Sequence, residues 1–93
     1  MIAEMQQEIV RGEAYGYYPL GQYVVAAPAI CGGRPTFKYT RLEVSMILSR
    51  VAMGEPLDEL IAAYAQSHLS REAVQEAIRL ADEALVSIID QNW

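Results

Sequence analysis

The chain has 93 residues, 53% apolar and 20% charged, with a net charge of −5, which suits one small folded domain with at most a short arm and excludes a disordered chain. An acidic total argues against nonspecific coating of nucleic acid or anionic lipid, which needs a basic surface. One cysteine and one histidine exclude an intrachain disulfide and are too few soft ligands for a structural zinc, so no metal or cofactor is expected.

Residues 1–22 read as an N-terminal arm, separate from a single domain over 23–93. Ile2, Met5 and Ile9 have the spacing of a short amphipathic helix. Gly12 and Gly16 interrupt the next stretch, and Tyr15, Tyr17, Tyr18, Pro19 and Gly21 make a tyrosine-rich turn. Residues 23–40 form a β/turn appendage. Tyr23-Val24-Val25-Ala26 is a short strand ended by Pro28, Gly32-Gly33-Arg34-Pro35 is a dense turn signal, and Thr36-Phe37 can pair back.

Residues 41–93 read as a helical bundle. Thr40-Arg41-Leu42-Glu43 has capping-box spacing ahead of an apolar stripe of Val44, Ile47, Leu48 and Val51. Gly54 and Pro56 mark the end of that helix. Leu57, Leu60, Ile61 and Tyr64 carry a short second helix, and Ser70 caps a long third one with Val74, Ile78, Ala81, Leu85 and Ile88 on its stripe. The expected class is mainly α: a three-helix bundle of helix-turn-helix type with a short N-terminal β/turn appendage and an extra arm. No apolar run is long enough to span a membrane, and Met1-Ile2-Ala3-Glu4 lacks the start of a secretory leader, so the expected location is the cytoplasm.

The string Cys31-Gly32-Gly33-Arg34-Pro35, followed by Thr40-Arg41 and Val44 and preceded by Val25 and Pro28, resembles the bacterial domain-of-unknown-function family 433 over about residues 23–85. The resemblance implies a homeodomain-like three-helix core. It also implies an antitoxin-like role, often beside a PIN-like nuclease toxin. Tyr39 stands where that family usually has glycine, Glu43 where it often has proline, and Ala27 where an aspartate commonly precedes the proline.

Charge patterning supplies the candidate contacts. Between Gly32 and Ala52, Arg34, Lys38, Arg41 and Arg50 face Glu43 alone, a local +3 that leaves −8 on the rest of the chain. Such a patch suits phosphate or an acidic partner segment, or pairs with carboxylates of its own chain. Ser70, Arg71, Gln75 and Arg79 are the residues with which the third helix would read bases, giving the alternative of a DNA-binding regulator. Residues 70–90 total −3, which disfavours entry into the major groove.

Cys31 and His68 lack an orienting third group, and the carboxylates do not cluster, so no catalytic residue is expected. Tyr15, Tyr17, Tyr18, Leu85, Ile89 and Trp93 are the apolar candidates for a dimer or partner contact. The expected role is a non-catalytic interaction protein: a homodimer that holds a toxin-like nuclease and binds operator DNA as a dimer.

Overall fold

The computed structural model describes residues 4–92, with side chains over 4–90. Ile2, of the expected arm stripe, and Trp93, of the expected apolar contacts, lie outside the described residues. Four strands and three helices follow one another in the order β1 (Gln6–Val10), β2 (Glu13–Pro19), β3 (Val24–Ala26), β4 (Pro35–Phe37), α1 (Val44–Ala52), α2 (Leu57–Ala63) and α3 (Arg71–Asn92). The strands form one antiparallel sheet in the order β1-β2-β3-β4. The fold is therefore mixed α and β, not mainly α, and the segment expected to be a short arm helix is a β-hairpin.

The physical reason lies in the spacing. Met5 and Ile9 are four residues apart, an even number, so they share a face in a strand as well as in a helix. They occupy the outer face of the hairpin, where Ile9 is 75% exposed. Arg11 and Gly12 make the two-residue turn with φ of 52° and 81°, the double positive φ of a type I′ hairpin. Tyr15 and Tyr17 then alternate inward and cluster with Val25 and Ala27.

Strand β3 pairs with β4 through Val24↔Phe37, Val25↔Thr36 and Ala26↔Pro35, the return pairing that the sequence suggests. Successive side chains of β3 serve opposite faces. Val24 and Phe37 join Leu42, Val44, Ile47, Leu69, Ala73, Val74 and Ala77 in the main core, whereas Val25 belongs to the tyrosine cluster. The hairpin thus extends the domain's sheet and covers the face that the helices leave open.

Helix α1 begins at Val44, and the expected capping box does not form. Thr40 instead donates its hydroxyl to the Phe37 carbonyl and accepts the Leu42 N–H, while Phe37 donates its N–H to the Leu42 carbonyl and Thr36 pairs with Glu43 in an isolated antiparallel bridge. That bridge beside β4, which itself ends at Phe37, holds residues 40–43 out of helical geometry, and the Glu43 side chain is engaged by Arg34. Gly54, with φ of 90°, ends α1 in the left-handed conformation that glycine tolerates. Ser70 accepts the Ala73 N–H at 3.1 Å, the cap expected for α3.

Candidate interaction surfaces

Three of the four basic-patch residues are engaged within the chain. Arg34 Nε meets Glu43 Oε1 at 2.6 Å, Lys38 Nζ lies 3.5 Å from Glu8, and Arg50 Nε lies 2.9 Å from Glu55. Arg50 also donates to the Tyr64 hydroxyl at 2.6 Å. The neighbouring guanidinium holds the Glu43 carboxyl below the usual range. Arg41 differs. It is exposed, and no carboxylate among the described residues pairs with it. The turn ahead of the patch is a 3-10 turn in which Cys31, Gly32 and Gly33 have φ of 51°, 64° and 82°. Backbone geometry accounts for both glycines.

Lys38 and Tyr39 hold the hairpin to the domain. Tyr17 and Tyr39 both donate their hydroxyls to the Glu8 carboxylate, the second at 2.7 Å. The Lys38 ammonium sits 4.8 Å and 5.0 Å from the centres of the two rings, within cation–π range. These phenols hold the Glu8 carboxyl below its ordinary range, and Tyr17 beside the ammonium pushes Lys38 upward. Tyr39 has φ of 69°, the left-handed conformation that glycine tolerates best. Its N–H donates to the Tyr15 hydroxyl at 2.9 Å. The bulky residue at this position and the hairpin are therefore coupled: Tyr39 bonds to the hairpin with both its backbone and its side chain. Of the tyrosines expected at a partner surface, Tyr15 and Tyr17 are buried in the chain's own second core and Tyr18 is half-buried.

The expected base-reading set is also largely occupied. The Ser70 hydroxyl caps α3, Arg71 pairs with Asp58, and Arg79 lies 3.9 Å from Glu76, while Gln75 is exposed. Glu76 itself is the residue that sequence reasoning missed. It is 6% exposed. Its Oε1 accepts the N–H groups of Tyr23 and Val24 at 2.7 and 3.0 Å, and its Oε2 that of Gln22 at 2.9 Å. One carboxylate thus clamps three successive amides at the start of β3, and a Cβ at Gly21 would collide with it. Gly21, just before a strand, is the one signal in the sequence for such a close approach.

Two concave surfaces remain. A groove of about 1130 Å³ runs between the hairpin turn and the link into α3, with Arg11, Lys38, Tyr39, Arg41 and His68 in its walls. Cys31 hydrogen-bonds the Arg41 carbonyl, not an imidazole, and no metal-ligating cluster occurs among the described residues. A second, apolar cleft of about 440 Å³ is lined by Leu20, Val24, Pro35, Val44, Leu48 and Leu80, with Ala77, Ala81 and Ala84 along its α3 side.

The third feature is the far half of α3. Val74 and Ala77 are in the core, and at about 100° per residue Ala81, Leu85, Ile88 and Ile89 continue within about 60° of the same direction. Yet Leu85 is 63% exposed, and Ile88 and Ile89 are exposed as well. The core stripe runs past the end of the core. None of the helices among the described residues is long and apolar enough to cross a membrane.

No curated protein and no solved structure matches the chain. A family model described as "protein of unknown function (DUF433)" matches residues 24–81, which spans β3 through the exit of α3 from the core and leaves the hairpin outside. The matched unit is thus the part that carries Arg34, Arg41, Glu76 and most of the apolar cleft, and the chain belongs to the DUF433 family.

Proposed function

We propose that the chain is a non-catalytic, antitoxin-like interaction protein of the cytoplasm. It works as a homodimer that holds a partner protein, with a PIN-like nuclease as the expected partner class, and binds operator DNA as a dimer. The observation that carries this reading is the α3 stripe: Leu85 and Ile89 extend a core face into solvent, where nothing among the described residues buries it. Arg41, exposed in the wall of the larger groove with Arg11, is the member of the basic patch without a carboxylate partner among the described residues, and it can meet an acidic segment of the partner.

A base-reading role for α3 has less support. Arg71 and Arg79 face Asp58 and Glu76, so groove entry would break these contacts and bring an acidic helix against phosphate. Co-expression of the tagged full-length chain with the product of the adjacent open reading frame tests the proposal. A stable complex that weakens in Arg41→Glu is expected. A neighbour that is not a nuclease, together with no complex, overturns it.

A further inference from the structure

The apolar cleft and the projecting half of α3 belong to one continuous helix, because Ala77, Ala81 and Ala84 line the cleft and Leu85 and Ile89 follow directly. A helix without a break cannot fold back into a cleft along its own side. Within one molecule the two surfaces therefore cannot cover each other. A second copy can cover both at once.

We propose that the far half of α3 of one copy lies in the Leu20–Val24–Pro35–Val44–Leu48 cleft of the other, and reciprocally, forming a closed two-fold dimer. This rests on the use of α3 as a docking element proposed above, and it names the occupant of that surface.

Three observations support a second copy as the occupant. The first is area. The chain exposes 6574 Å², whereas a folded monomer of 10.3 kDa exposes roughly 5,400 Å². The excess, roughly 1,200 Å², exceeds the roughly 800 Å² per partner of a standard stable interface. The radius of gyration, 14.1 Å, likewise exceeds the value of about 12.3 Å expected for this length.

The second is shape. The α3 side of the cleft carries only small side chains, Ala77, Ala81 and Ala84, apart from Leu80, so the backbone of an incoming helix can approach closely. The third is charge. No charged residue lines the cleft. On the helical wheel Glu83 and Asp90 lie on the far side of α3 from Leu85, whereas Asp82 lies about 60° from it, so of the carboxylates in the far half only Asp82 borders this face, and the cleft holds no charge to oppose it. Because the exchange is reciprocal about a two-fold axis, it closes as a dimer and leaves no free copy of either surface.

Val86 makes the proposal sharp. It is 50% exposed, comparable to Ile89 at 55%, but lies about 100° around the helix from Leu85 and outside the stripe. The experiment is light scattering on the purified full-length chain at about 50 μM, with circular dichroism to confirm that each variant is folded. Wild type is expected at about 21 kDa, twice the chain mass of 10.3 kDa. Leu85→Lys, Ile89→Lys and Ser45→Arg are expected to be folded monomers, the last because Ser45 is exposed on the cleft wall. Val86→Lys should remain dimeric.

A monomeric wild type overturns the proposal. So does a Val86→Lys variant as disrupted as Leu85→Lys, or a Ser45→Arg variant that stays dimeric, since helices then pair away from the cleft. Partner capture is scored separately. A monomer that still captures the neighbouring gene product refutes the exchange alone, and a dimer that captures nothing refutes the partner reading alone.

Discussion

Replacing Glu76 is the most informative test of how this fold is held together. The carboxylate is 6% exposed and accepts three amides from Gln22, Tyr23 and Val24. In Glu76→Ala the Gln22 N–H can turn to water, because that residue is exposed. The Tyr23 and Val24 amides lie against the core, and each costs about 1–3 kcal/mol when left unmet. The expected loss is therefore about 3–5 kcal/mol, against a total stability of about 5–14 kcal/mol for a chain of this length. Glu76→Gln keeps one oxygen for Tyr23 and Val24 but turns an amide donor toward the Gln22 N–H, with an expected loss of about 1–2 kcal/mol. Urea unfolding at a fixed protein concentration should give midpoints in the order wild type, Gln, Ala, with unchanged slope. If Glu76→Ala unfolds within about 0.5 kcal/mol of wild type, the clamp contributes nothing and the attachment of β3 to α3 rests on the apolar contacts alone.

The Thr36 hydroxyl is fully buried and has no partner among the described residues, so Thr36→Val should raise stability by about 1 kcal/mol, and a destabilised variant would contradict that reading. The Glu8 carboxyl is depressed by the Tyr17 and Tyr39 hydroxyls, so its contribution to hairpin docking is complete above the ordinary glutamate value of about 4.3 and is lost as pH falls through the depressed one. Lys38 is shifted upward, so its contribution is complete below about 10.4 and is lost only as pH rises through the raised value. Hairpin amide signals should therefore stay constant between these limits and respond to acid, a response that Glu8→Gln should remove. Signals that titrate near neutrality would show that another group controls the hairpin.

The helical part of the fold was legible because its signals are local. Gly54 after an apolar stripe, and Ser70 ahead of one, each specify a helix end from a few neighbouring residues, and both ends lie where those residues put them. The hairpin was not legible for two physical reasons. The Met5–Ile9 spacing fits both periods, and Arg11 occupies a positive-φ turn position where asparagine or aspartate would give the usual cue. The better signal was the alternation of Tyr15 and Tyr17 about Gly16.

Thr40 and Glu43 satisfied a capping pattern, yet both side chains had stronger claims elsewhere: the Phe37 carbonyl and Leu42 N–H of the turn after β4, and an arginine nine positions earlier. Glu76 was hidden differently. It falls roughly opposite Val74 on the helical wheel, where periodicity assigns a solvated face. Its three partners lie more than 50 residues away in sequence, so only the packed fold makes it a core residue. Leu85 and Ile89, by contrast, stand out in the sequence as apolar candidates for a partner contact, and the structure shows both exposed.

In the proposed dimer the far half of α3 is a covered docking face. Hydrogen exchange of amides 82–90 in the purified full-length chain, measured across a hundredfold range of protein concentration, tests it most directly. A projecting helix of this length is marginal by itself in water. The account predicts strong protection at high concentration that disappears on dilution, with the amides of α1 unchanged. Equal, fast exchange of residues 82–90 at every concentration would contradict it.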